Sequence, residues 1–342
     1  MWSAPVARVW VTIADHFEPQ WRHADAATAL ERVRRWRRLW PRIAARQVDS
    51  AGRPACYTFF YPEEQYEPRV LDELAELREE GIADVEVHLH HHADTEAGFV
   101  DRVSGFLHRL HRHHGLLRND AGQVRFGFIH GNWALDNSLP GGRFCGLNNE
   151  ITLLRDLGCY ADFTMPSAPS SSQTRIVNTI YWAKDDPHRP KSHDSGIPVT
   201  AGGAIAGDLM MIPGPLTFNL REWSAPHVPK LECGELAGHC LPSLHRAHLW
   251  IRVAPRIGQD VFIKLFGHGA PEKNAIPLLE EGGLDRTFVY LKHAAAEMGA
   301  EIFFVSAWQM WAAVDAIRWA VNPERQHDAG RNNAPIGNAV CS

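Results

Sequence analysis

The chain has 342 residues, 45% of them hydrophobic and 22% charged, and a formal net charge of −5 at neutral pH. That length fits one large domain or two of ordinary size, and the balance excludes a disordered, low-hydrophobicity chain. The mild negative charge leaves no basic footprint for nucleic acid, and no stretch reaches the length of a membrane span.

Short apolar runs alternate with helical periodicity, which predicts an α/β architecture with parallel strands. The N-terminus lacks the basic start and apolar run of a secretory leader, and the six cysteines form no CxxC pair, so the expectation is a cytoplasmic protein with reduced thiols.

The first expected strand, 7–14, runs into Asp15-His16, with Glu18 on the loop that follows. Between Asp25 and Ala45, the residues Leu30, Val33, Trp36, Trp40 and Ile43 recur at helical spacing. The interleaved Arg32, Arg34, Arg35, Arg37 and Arg38 read as the solvated face of that helix rather than as a phosphate-binding patch. A strand at 55–61 and a helical face from Val70 to Leu77 precede a strand at 84–91, which carries His88 and His90 and is followed at once by His92. Alternate strand residues share a face, so these imidazoles are expected to point the same way. Two of them, joined by Asp15 from the first strand, would hold a divalent ion and leave a position for water, and the pattern leaves open which two.

Glu96 to His114 reads as a helix stopped by Gly115, with His108, His111, His113 and His114 exposed near its C-terminal end. A strand at 125–130 leads to Asn132 and Trp133, an amide beside an aromatic face, which suits a sugar. Ile151, Leu154 and Leu157 mark a helix before Gly158, and strands follow at 160–165 and 208–213. Between them, 184–208 is rich in Pro, Gly, Ser and Asp and reads as a long loop covering the site. His239, His245 and His248, with Cys233 and Cys240, lack a paired-cysteine frame and read as structural or surface residues. A strand at 260–267 delivers His268 between two glycines; Phe288, Leu291 and Ala295 mark a last helical face before a strand at 301–306. The pattern gives a single domain over 1–321 and a flexible tail over 322–342. Seven or eight such units on about three hundred residues suggest a barrel, whose chemistry sits at C-terminal strand ends.

Five blocks, in order between residues 8 and 308, resemble the NodB-like polysaccharide deacetylases of the wider glycoside hydrolase/deacetylase superfamily. They are Thr12-Ile-Ala-Asp15-His, Pro54-Ala-Cys-Tyr-Thr-Phe-Phe, Asp84 to His92, Phe128-Ile-His-Gly-Asn-Trp133 with the helix to Asp162, and Ile263-Lys-Leu-Phe-Gly-His268-Gly. The resemblance implies a distorted (β/α)7 barrel, one divalent metal, and hydrolysis of an N-acyl group, acetyl foremost, from an amino sugar or glycan precursor. It implies that Asp15, His88 and His92 bind the metal and that His268 is the general acid; a shifted alignment selects His90 as the first ligand. Zinc suits two imidazoles and a carboxylate, with cobalt or nickel as substitutes.

The family's general base aligns with Ala14. His16 and Glu18 are the neighbouring candidates for that role, or else they orient metal ligands. The rival readings are a glycoside hydrolase, which needs two carboxylates across the scissile bond, a barrel phosphoesterase with two or three metals, and a non-catalytic glycan-binding scaffold. A small-molecule or glycan substrate is the expected partner.

Overall fold

The computed structural model describes residues 5–319; the tail assigned to 322–342 lies outside them. Each of the eight expected strands has a counterpart: β1 Arg8–His16, β2 Tyr57–Pro62, β3 Ala83–Leu89, β4 Gln123–His130, β5 Cys159–Asp162, β6 Leu209–Met211, β7 Asp260–Gly267 and β8 Glu301–Phe304. The longer helices are α1 Ala26–Arg46, α2 Pro68–Glu79, α3 Glu96–His114, α4 Glu150–Asp156, α5 Leu244–Val253, α6 Gly283–Ala296 and α7 Ala307–Trp319.

The strands pair in parallel in the order β7-β1-β2-β3-β4-β5-β6. Strand β1 splits its pairing, because Arg8–Val11 align with β8 and Ala14–His16 with β2. Buried on both faces, the strands read as continuous apolar runs such as Tyr57-Thr-Phe-Phe-Tyr, as expected of a covered parallel sheet. Beyond β6, the antiparallel strands Tyr181–Ala183 and Gly196–Pro198 extend the edge. The expected loop at 184–208 therefore contains sheet, and its Lys191 and Ser192 amides bind Asp136.

The result is a large, mostly parallel sheet whose pairing ladder stays open among the described residues. It nevertheless curls, since Gly214, just past β6, packs against the Lys264 carbonyl of β7.

Local chemistry sets the helix ends. The Thr95 hydroxyl accepts from the Gly98 amide at 3.1 Å and caps α3, which stops at Gly115 with φ of 64°. On α1, Val33, Trp36, Trp40 and Ile43 face the sheet, each such side chain stabilising by about 1.5–3 kcal/mol. Its arginines meet glutamates: Arg34 pairs with Glu73, Arg37 with Glu76 and Glu80, and Arg35 with Glu280. Helices α5 and α7 and a hairpin of Thr217–Ala225 with Val228–Glu232 were not foreseen. Among the described residues, no helix is long and apolar enough to cross a membrane.

Candidate metal centres

The C-terminal ends of β1, β3 and β7 meet, and four imidazoles surround one carboxylate there. His88 is the last residue but one in the buried run of β3; its Nδ1 lies 2.9 Å from the Ile129 carbonyl. A carbonyl only accepts, so Nδ1 carries the hydrogen and Nε2 presents a lone pair, the orientation that metal-binding histidines adopt. That Nε2 stands 3.6 Å from Glu18 Oε1, an ion-pair distance rather than a hydrogen bond, while His90 Nε2 is 3.7 Å and His268 Nε2 4.0 Å from the same oxygen. The His16 ring lies 5.0 Å from that of His88 and 4.9 Å from that of His268. His16, Glu18 and His88 place their ligand atoms within 4.8 Å of one another, and the Nε2 atoms of His16 and His88 are buried without a hydrogen-bond partner.

Burial first, then the neighbouring His268 and His88, pushes the His16 imidazole well below its usual pKa. Burial likewise takes His268 down to about 4. Burial opposes ionisation of Glu18, yet His88, and after it His268 and His90, outweigh that cost and hold its carboxyl below the usual range. His90 goes the other way. Burial disfavours its charge, but Glu64, 2.5 Å from its Nδ1, raises its pKa. Trp21 and Trp133 flank His268 with ring centroids 5.8 and 6.1 Å away, at the solvent side of the group.

Asp15, expected as the metal carboxylate, is turned elsewhere. Both its oxygens accept from the Gly269 amide, at 2.8 and 3.0 Å, and burial raises its pKa to about 7. Gly269 is required for that approach, because a Cβ there would collide with Asp15 Oδ2 and Trp36. The carboxylate among the imidazoles is Glu18. His92 is also displaced, since β3 ends at Leu89 and the alternation ends with it. It is exposed, accepts from the Phe144 amide at 3.0 Å, and borders a hollow of about 630 Å³ that it shares with Asn137, Asn148 and Lys191. His90 lies past the strand too, yet still faces Glu18. Asn132 is exposed and Trp133 half-buried, both at positive φ, of 54° and 53°. Ala14 is fully buried in the interior cluster with Phe60 and Ile129.

A second group lies deeper. His91, His130, Cys145 and Glu150 are all buried, with ligand atoms within 4.8 Å of one another, and are arranged so that they could hold a metal ion. No short motif announces them, because they come from four separate segments. His91 occupies the parity opposite to His90, and His130 precedes Gly131 on another strand, so neither belongs to the alternating set of imidazoles. Burial lowers the His130 imidazole to about 3, while Glu150 is held low against burial by His130 and His91. By contrast, the five His and Cys residues from Cys233 to His248 gather at no common point: His245 bonds Asn219 and His248 bonds Glu297. His114, expected at the surface, has a buried side chain held between Asp72 and Tyr66.

Comparison with family models and with characterised proteins gives no match to this sequence.

Proposed function

We propose that the Glu18 centre belongs to a metal-dependent hydrolase that removes an N-acyl group, acetyl foremost, from an amino sugar or glycan precursor, on a sheet curled towards a distorted (β/α)7 barrel. The observation that carries this reading is the pair of partnerless Nε2 atoms, on His16 and His88, converging with Glu18 at the C-terminal ends of parallel strands.

The residues present suit a divalent ion. His16, His88 and Glu18 would hold it, with His90 and His268 beside them. When bound, such an ion polarises an acyl carbonyl and makes water ionise near neutral pH. The chain's own groups handle protons and orientation. His268 starts neutral, so it first accepts the proton of the attacking water and then delivers it to the leaving amine. His90 is backed by Glu64 in a histidine–carboxylate pair and is the other imidazole placed to move a proton. Trp21 and Trp133 present aromatic faces on which a pyranose stacks.

Protein purified without a chelating column is assayed for bound metal and for amine release from a panel of N-acetylated amino sugars. His88→Ala and Glu18→Gln are each expected to lose the metal at this centre and at least about a hundredfold in kcat/KM. Full metal content in both variants overturns the ligand assignment, and sugar binding without turnover at every metal loading replaces hydrolysis with a scaffold.

A further inference from the structure

The second buried group is a separate matter. We propose that His91, His130, Cys145 and Glu150 form a closed, four-ligand zinc site whose role is structural.

Three observations meet here. The spacing is that of a coordination shell: His91 Nε2 lies 2.8 Å from His130 Nε2 and 3.1 Å from Glu150 Oε1, His130 Nε2 lies 3.4 Å from the same oxygen, and Cys145 Sγ lies 3.4 Å from Glu150 Oε2. Tetrahedral zinc with bonds of 2.0–2.1 Å separates its nitrogen and oxygen ligands by about 3.3 Å.

The imidazoles are also turned for the task. His130 Nδ1 is 2.6 Å from the Gly131 carbonyl, which fixes its hydrogen there and leaves Nε2 bare. His91 Nδ1 stands 3.2 Å from the Asp94 carboxylate without a hydrogen bond, so that ring's hydrogen is free to sit on either nitrogen. The bare His130 Nε2 meets His91 Nε2 at 2.8 Å, a gap that either a hydrogen on His91 Nε2 or a shared cation spans; the cation gives both nitrogens one target. Glu150 is oriented in turn by the Asp136 amide, 2.7 Å from its other oxygen.

Charge supplies the third point. A thiolate and a carboxylate neutralise a dication, so the filled group is neutral and can stay dry. Thiolate with imidazole selects zinc over magnesium or calcium. Four protein ligands fill a tetrahedral zinc and leave no position for substrate, whereas the three at Glu18 leave one open, which separates a structural site from a catalytic one.

Such an ion ties the end of β3, the end of β4, the loop at Cys145 and the first turn of α4 into one knot. The segment between His130 and Cys145 carries Asn132 and Trp133, so the site holds the segment that brings Trp133 beside His268 in the neighbouring centre.

The test uses the full chain loaded with cobalt(II) in place of zinc. Wild type is expected to show a thiolate-to-cobalt charge-transfer band, which Cys145→Ser abolishes while bound metal falls by about one ion per chain. His88→Ala is expected to keep the band and lose the other ion. No band in cobalt-saturated wild type overturns the proposal, and this reading needs no variant to fold. Unchanged metal content in Cys145→Ser overturns it equally. If His88→Ala loses no metal while Cys145→Ser does, the Glu18 reading fails and this one stands.

Discussion

Lys264 shows what an interior position costs. It lies on β7, its ammonium buried without a hydrogen-bond partner, 5.3 Å from the Phe266 ring, and burial lowers its pKa to about 7 against the pull of Asp162. The folded state therefore binds this proton less well than the unfolded chain between pH 7 and 10.5, so its penalty is greatest below pH 7 and fades as pH rises through that window. Lys264→Met is expected to raise stability at pH 6 by on the order of 1–4 kcal/mol, and by less at pH 9, read from urea midpoints. Asp162 tolerates the change at pH 6, because burial raises its own pKa to about 7 and losing the ammonium raises it further. An equal or larger gain at pH 9 contradicts the assignment. At this scale the sequence was partly legible. His16, Glu18, His88, His90 and His268 were candidates by position on strand ends, and they do meet. The choice of Glu18 over Asp15 was not readable, because a hydrogen bond from Gly269, distant in sequence, holds Asp15 away and leaves Glu18 among the imidazoles.

Strands and helices were more legible than their ends. Apolar periodicity places each of the strands β1 to β8, since it records burial directly, but misses the two-residue Glu235–Leu236, which pairs in parallel with β7. It is silent on where β3 stops, and that boundary sends His90 to one centre and His91 to the other. The hairpin at 217–232 was hidden for the opposite reason: Phe218, Leu220, Trp223 and Val228 are exposed, so its apolar residues mark no core. Gly131, just past β4, illustrates how element ends control the Glu18 centre. A Cβ there would strike the His90 ring and the Leu89 carbonyl. Gly131→Ala is expected to push His90 off Glu64 and lower kcat by roughly a hundredfold, the scale of a 1 Å misplacement, with smaller change in KM. Wild-type kcat in a folded Gly131→Ala enzyme removes His90 from the proposed chemistry.

For the molecule as a whole, class and strand sequence followed from pattern, whereas closure did not. Closure depends on how far the sheet curls and on pairings at its edges, such as Tyr181–Ala183 against β6, which local periodicity does not encode. Stability at this scale should depend on metal supply. An ion held only by the folded chain stabilises it by about 2.7 kcal/mol at a hundredfold excess over Kd. A strong chelator is expected to lower the Tm of wild type, with restoration by zinc, and to do so also in His88→Ala, where the buried site remains. Insensitivity of both to the chelator contradicts a stabilising ion.

The adjacency of His90 and His91 has a further consequence for how this protein can change. Surface loops ordinarily tolerate gained or lost residues, but one inserted or deleted between Leu89 and His91 would disturb both centres in a single event. Drift in chain length must therefore spare this tripeptide and collect in stretches such as the 217–232 hairpin, whose apolar side chains already face solvent.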